Sequence, residues 1–256
     1  SVTPFDADAQ AYITAVETVD EQALEAGVRT AINDFVVGCK ADGIWDAIKS
    51  SCIMAGARTL TGALVPLKGT APTNFNFVPG DYNRKTGLLG NGSTKYLNSN
   101  RNVNADPQNS FHQAVWISVA QTSNNSQAHI GAGAAGTGST QINYGGGTAK
   151  FEFRARVSSP PITGGSINSV GLIAQSRNGA TSVATRVNGT TTFTNIASQV
   201  PHNGDALVFA RNSAANAVGL WCNARIAFYS IGESLDLAQL DSRVTTLINA
   251  YVAVIP

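Results

Sequence analysis

The chain has 256 residues and a formal net charge of +1, with 43% hydrophobic and 13% charged residues, 25 Gly and three Cys. That length admits one or two domains, and a sandwich of about 200 residues counts as one. A charge this near zero, with no basic stripe, excludes the phosphate-driven binding of duplex nucleic acid, and hydrophobicity this ordinary excludes an intrinsically disordered chain.

The N-terminal Ser-Val-Thr-Pro-Phe-Asp-Ala-Asp has no cationic region followed by an apolar one, so no secretory signal is expected. Through Val65 the chain has nine acidic and four basic residues, net −5, which leaves +6 for the remainder. This first part reads as helical. A short helix is predicted over Ala9 to Val16. Leu24, Val28, Ile32, Phe35 or Val36, and Cys39 then recur at three-to-four spacing on one helical face, with Asp20 as the expected cap. A further helix is predicted after Asp42-Gly43, with Ile44 and Ile48 four apart, ending before Gly56. Residues 1–65 are therefore expected to form a helical docking or oligomerisation segment, with Leu24, Val28, Ile32 and Phe35 as its interface.

From Gly69 the helical period gives way to short runs rich in Val, Ile, Thr and aromatics, separated by Gly, Asn, Ser and Pro. Strands are predicted at Lys95–Leu97, His112–Val119, Gln127–Ile130, Thr140–Asn143, Ala149–Arg156, Val170–Gln175, Thr181–Val187, Thr190–Asn195, Leu207–Arg211, Ala217–Trp221 and Ile226–Ile231. Their regular spacing of about 8–12 residues is the pattern of an all-β sandwich. Asn188-Gly189 and Asn178-Gly179 predict hairpins. Phe151, Phe153 and Ala155 alternate with Glu152, Arg154 and Arg156, which predicts rings facing the core and charges facing solvent. A last helix follows Ser234, its expected cap, and its stripe Leu237, Leu240, Val244, Leu247, Tyr251, Val254 is fit either to dock on the sandwich or to pack against symmetry mates.

Chemistry is sparse. Between Asp106 and Asp205 the single acidic residue is Glu152, whereas glycosidic hydrolysis usually needs two carboxylates in one cleft. There is no Gly-x-Ser-x-Gly elbow, and His112, His129 and His202 have no neighbouring acid to orient them. Gly131-Ala-Gly-Ala-Ala-Gly136 mimics a dinucleotide fingerprint but is not followed by an amphipathic helix, so it reads as a loop. Cys39, Cys52 and Cys222 form no Cys-x-x-Cys pair and lie near no His; buried thiols, no metal and a cytosolic origin are expected. The longest apolar stretches, such as Ile53–Ala57, fall far short of the ~20 residues of a spanning helix, so no membrane insertion is expected. No catalytic residue and no cofactor are expected. The Asn-, Ser-, Thr- and Gly-rich loops at Asn98–Asn104, Thr122–Ser126 and Gly145–Thr148 offer uncharged donors and acceptors suited to sugar hydroxyls, with Tyr96, Tyr144 or Trp221 as a stacking face. Tyr96, Asn98, Asn100, Tyr144 and Trp221 are the expected ligand-binding residues.

Gly90-Asn-Gly-Ser-Thr-Lys-Tyr-Leu-Asn98 resembles the early strand of concanavalin A-like, laminin-G-type jelly rolls, and the run from Arg225 to Leu240 resembles their closing strand and short helix. The runs Ala26–Lys49, Ala55–Leu67 and Asp81–Leu88 resemble virion proteins of tailed bacteriophages, in which a helical part precedes a lectin-like sandwich. The resemblance implies a mainly β fold: an antiparallel jelly-roll sandwich at 66–256 with an N-terminal helical segment and a C-terminal helix. It also implies a virion component, made in the host bacterial cytoplasm, with other virion proteins as partners and a homo-oligomeric, trimeric state. Laminin-G-type relatives often bind calcium, but the clustered acidic ligands are absent from this sequence. The leading expectation is a non-enzymatic tail fibre or receptor-binding protein that recognises a host glycan. The alternatives are a capsid decoration protein and a polysaccharide-degrading enzyme.

Overall fold

The computed structural model describes residues 4–122, 125–134, 136, 138–158, 160–213 and 217–256. Helix α1 (Ala7–Asp20) starts where the Asp6 carboxylate accepts from the Asp8 N–H at 3.0 Å. Its buried face, Ala9, Tyr12, Ile13 and Val16, continues onto that of α2 (Ala26–Ala41), where Val28, Ile32, Phe35 and Cys39 are buried. Asp20 does not cap α2. It ends α1 and accepts from Arg58 N, Thr59 N and Thr59 Oγ1 at 2.5, 3.0 and 2.6 Å, bracing the turn into α3 (Leu60–Ala63).

The helix expected after Gly43 is a 3₁₀ turn, Trp45–Ala47, that leads into a strand, β1 (Ile48–Ile53). Nearly every residue of β1 is buried because helices cover one face and the sandwich the other, so the strand shows no alternation. Two apolar residues four apart were too short a window to tell the cases apart.

Two sheets, each of nine strands among the described residues, stack face to face. With strands numbered in chain order, the first sheet runs β14 (Thr190–Asn195), β13 (Ser182–Val187), β12 (Gly171–Arg177), β7 (Phe111–Val119), β18 (Arg225–Gly232), β1 and β2 (Pro66–Lys68). The pair β4 (Tyr82–Asn83) and β5 (Gly87–Leu89) joins it through β18. The second runs β11 (Ile162–Ser166), β10 (Lys150–Ala155), β9 (Thr140–Tyr144), β8 (Gln127–Ala132), β15 (Asp205–Val208), β6 (Tyr96–Asn102) and β3 (Thr73–Phe75). A small hairpin, β16 (Arg211–Asn212) and β17 (Val218–Gly219), attaches to β8. The expected antiparallel sandwich is therefore observed, and the strands added to it fall mainly before Leu97.

One core lies between the sheets, built from Leu97, Val115, Ile130, Ile142, Phe151, Phe153, Ile173 and Val208. A second lies between the helices and the outer face of the first sheet, where Phe35 meets Phe228 edge-on with centroids 6.0 Å apart. The last helix, α4 (Leu237–Val254), fills this second core with Leu240, Val244, Leu247 and Tyr251, so its stripe docks on the sandwich. Asp236 caps it, accepting from Ala238 N and Gln239 N, while Ser234 instead meets the Ser110 hydroxyl. Leu24, Val28, Ile32 and Phe35 are at most 5% exposed. The apolar face read as an interface is thus buried within the chain itself, against α4 and the first sheet. Residues 1–65 and 66–256 share this core.

The β13–β14 turn has Asn188 and Gly189 at φ 52° and 73°, the two left-handed residues of a type I′ hairpin. The β12–β13 connection is longer, since Arg177 pairs with Val183. On β10, Phe151, Phe153 and Ala155 point inward as expected, and Glu152 sits on the opposite face. Arg156 does not join the outer charges. Its φ of 61° turns it under the Phe111 ring, 4.5 Å from the centroid, where it donates to the carbonyls of Val103, Asp106 and Pro107. Arg177 is a second buried guanidinium, donating to the carbonyls of Ala155, Gly179, Ala180 and Ile196 at 2.8–3.2 Å. Arg177→Met is expected to lower stability by about 3 kcal/mol, because several buried acceptors lose their donor together. Urea denaturation measures it; a loss below about 1 kcal/mol would show that those carbonyls find other donors.

Candidate functional site

The outer face of the second sheet has no helix layer over it, and the ladder sets one row of residues across it. Arg154 of β10 lies opposite Gln141 of β9, which lies opposite Gly131 of β8; Leu207 of β15, Asn98 of β6 and Thr73 of β3 follow. Beside Asn98, the registered pair Tyr96 and Phe75 stacks with ring centroids 4.4 Å apart and planes 4° from parallel. Phe75 is 37% exposed on the edge strand, so the pair forms an apolar step at the sheet margin.

That step borders a groove of about 370 Å³, lined chiefly by Phe75, Tyr96, Asn98, Asn203, Asp205 and Asn212. Its amides are held in place by the backbone. Asn98 Oδ1 accepts from Asn100 N at 2.8 Å, and its Nδ2 donates to Asp205 Oδ2 at 3.1 Å. Asn212 Nδ2 donates to the Asp205 carbonyl at 2.6 Å, while its Oδ1 accepts from Gly133 N at 3.1 Å. Asn102 Oδ1 accepts from Asn104 N and Gly204 N, and its Nδ2 donates to Asn203 Oδ1 at 2.7 Å. Side chains fixed this way lose little freedom when a ligand arrives.

Of the residues expected to bind ligand, the structure brings Tyr96 and Asn98 together in this groove. Asn100 lies next to it and acts as a brace: Nδ2 donates to the Ala71 carbonyl and Thr73 Oγ1, tying β3 to β6. Trp221 lines a separate depression with Asn91, Gly92, Ser126 and Asn223. Tyr144 is corrected: its ring is 4% exposed within the sandwich core and its hydroxyl accepts from Gly147 N, so it offers no stacking face. Of the loops read as sugar-facing, residues 123 and 124 of Thr122–Ser126 lie outside the described residues, as does residue 135 of the glycine-rich stretch. Gly131 and Ala132 belong to β8.

Sequence reasoning missed Phe75, Asn203, Asp205 and Asn212. The Asn203-Gly204-Asp205 turn was the available signal, yet only strand order places it against Asn98.

The groove holds one carboxylate, Asp205. Glu152, on the same face, is three strands away and offset along them, which puts it more than about 14 Å from Asp205 at ~4.8 Å per strand. Its Oε2 accepts from Asn143 Nδ2 at 3.2 Å. Among the described residues no group of three or more His, Cys, Asp and Glu could hold a metal ion, and no helix is long and apolar enough to cross a membrane. Cys39, Cys52 and Cys222 are free and buried; burial pushes the Cys39 and Cys222 thiols up to about 12 and raises Cys52 as well. Such thiols are poor nucleophiles.

No protein-family model matches the sequence, and no curated protein matches it. Among solved structures, the chain is similar to the binding domain of botulinum neurotoxin serotype D, with a TM-score of 0.53 and 12% identity over 82% of this chain and 52% of that one. The receptor binding domain of botulinum neurotoxin D gives a TM-score of 0.51 and 13% identity over 78% and 52%. A mutant of Trypanosoma rangeli sialidase aligns with a TM-score of 0.49 and 11% identity over 87% and 39%. The likeness to the neurotoxin domains is one of β-sandwich fold, and the chain spans about half of their length.

Proposed function

We propose that the chain is a non-catalytic, glycan-recognising part of a bacteriophage particle, a tail-fibre or receptor-binding component that meets the host surface. The observation that supports glycan recognition most is the Phe75–Tyr96 step beside a groove of fixed amides and one carboxylate. Stacked rings offer an apolar platform to the C–H face of a sugar, while Asn98, Asn203 and Asp205 address its hydroxyls. The fold similarity to toxin receptor-binding domains agrees with this reading. A single carboxylate in the groove supports binding over hydrolysis, which usually uses a pair. The particle assignment is supported by the sequence resemblance. A virion location and a trimer with other virion proteins follow as parts of the same proposal, since copy number turns weak sugar contacts into avidity.

A glycan array probed with the whole chain tests the site. Tyr96→Ala is expected to weaken the bound glycan roughly tenfold, about 1.4 kcal/mol, and to lower the thermal transition while the circular dichroism spectrum stays that of the folded chain. Undiminished binding by that variant would remove the groove from consideration. Immunogold labelling of intact particles tests the station: label at the tail tip or fibres supports host recognition, and label spread over the head would favour capsid decoration.

A further inference from the structure

Resting on the glycan reading, we infer that the groove selects neutral, hydroxyl-rich pyranosides and rejects sugars bearing carboxylate, sulfate or phosphate. Its lining contains one charged group, the Asp205 carboxylate, and no Lys, Arg or His. Asp205 makes no ion pair among the described residues, and its one side-chain partner is Asn98 Nδ2 on Oδ2. Asp205 lines the groove, and its Oδ1 is left as an acceptor with no protein donor among the described residues.

The nearby amides add no charge of either sign. Asn98 gives one N–H to that carboxylate and Asn212 gives one to the Asp205 carbonyl, so each keeps a second, uncharged N–H donor. The groove thus pairs neutral donors with a single anionic group, and that carboxylate accepts only. Its complement is a pair of adjacent hydroxyl donors on a ring whose C–H face rests on Phe75 and Tyr96.

An anionic sugar in the same pose would meet a like charge with no cation to offset it. The basic residues that flank the lining in sequence are engaged elsewhere or uncharged: Arg101 holds Asp106, and burial lowers the His202 imidazole packed beside Gly204 and Asn212, which keeps it neutral at neutral pH. Lys95, next to Tyr96 in sequence, holds Asp81 at 2.6 Å. Arg211, next to Asn212, sends Nη1 to Gln141 Oε1 on β9 at 3.3 Å, toward the Arg154 side of the face. The groove thus holds one acidic residue, while the Arg211 side chain of β16 is turned toward Gln141.

The test measures affinity of the whole chain by titration calorimetry for neutral hexose oligosaccharides and for uronic-acid oligosaccharides matched in length and linkage. At neutral pH and low salt, the neutral member of each pair is expected to bind at least about tenfold tighter. Asp205→Asn, which keeps shape, is expected to weaken the neutral ligand about tenfold and to narrow the neutral-to-acidic ratio at least about threefold. If the acidic member binds equally or better, or the ratio survives Asp205→Asn, the selectivity inference is overturned while Tyr96→Ala sensitivity keeps the glycan reading. Acidic binding lost in Arg211→Gln but not in Tyr96→Ala would move the ligand across β16 and also overturn it. No binding to any member overturns both.

Discussion

Acidification from pH 6.5 to pH 4 is expected to remove about 6 kcal/mol of folding stability, through two histidines. His112 and His129 are both fully buried, and burial lowers each from 6.5 to about 4. The His112 ring sits between the Glu233 carbonyl, 2.6 Å from Nδ1, and the Ser230 hydroxyl, 2.7 Å from Nε2. That arrangement satisfies a neutral ring with its proton on Nδ1. His129 lies against Phe151 with centroids 5.3 Å apart, and neither ring nitrogen has a hydrogen-bond partner among the described residues. In the unfolded chain both rings take a proton near pH 6.5; in the folded chain they resist until about pH 4. Over that window the unfolded state binds more protons, so stability is full above pH 6.5 and falls as pH drops toward 4. Each shift is worth about 3 kcal/mol, and a domain of this kind has a total of about 5–15.

Urea denaturation at pH 7.5, 6.5, 5.5 and 4.5 measures this, and His129→Phe is expected to halve the slope. A profile flat across the window would refute it. The carboxylates held low by ion pairs act in a different range. Arg84 beside Glu25, Lys40 beside Asp6 and Arg243 beside Asp42 lower those groups, so their contribution is present above the usual carboxylate range and is lost only at more acid pH.

Phe153→Asp is expected to abolish the folded state, while Arg154→Asp, one residue on, leaves it. Phe153 is fully buried between the sheets, opposite Ile142 on one side and Ile162 on the other. Losing the ring costs about 3–5 kcal/mol, and a carboxylate with no donor in the dry core adds several more, together comparable to the whole stability of a domain. Arg154 lies on the other face of β10, outside the core between the sheets, yet it is buried and not in solvent as the alternation implied. It is 8% exposed and one of its guanidinium nitrogens has no hydrogen-bond partner among the described residues. Its replacement therefore sacrifices packing more than pairing, about 1–2 kcal/mol. Circular dichroism and urea melts of the two variants separate the cases. Equal stability would invalidate the inward and outward assignment of β10.

The alternation at β10 and the Asn-Gly turn at β13–β14 were legible in the sequence because one face of each strand is dry and the turn demands left-handed residues. Strand β1 was not, since burial on both faces erases the period that separates strand from helix. Arg156 was misplaced because alternation assumes extended backbone, and its φ of 61° breaks the pleat just after β10. The stripe Leu24, Val28, Ile32, Phe35 disclosed an apolar face but could not disclose its partner. Half of the candidate groove was readable for a similar reason. Tyr96 and Asn98 stand together in one strand, whereas Asp205 reaches Asn98 across 107 positions and Phe75 comes from an edge strand of three residues.

The placement of β1 beside β18 has a consequence for biosynthesis. Cys52 lies opposite Tyr229, and the Ser51 hydroxyl donates to the Tyr229 carbonyl across a sequence separation of 178. A nascent chain that has not yet released Arg225 onward has β2 but lacks β18, the strand on the other side of β1, and the helix that covers α2. The apolar faces of α2 and β1 must wait for residues as far as 178 positions downstream before they can be shielded, and closing so long a loop is slow. Chains stopped before Arg225 are therefore expected to accumulate as insoluble material, with holdase chaperones bound to the 26–41 segment.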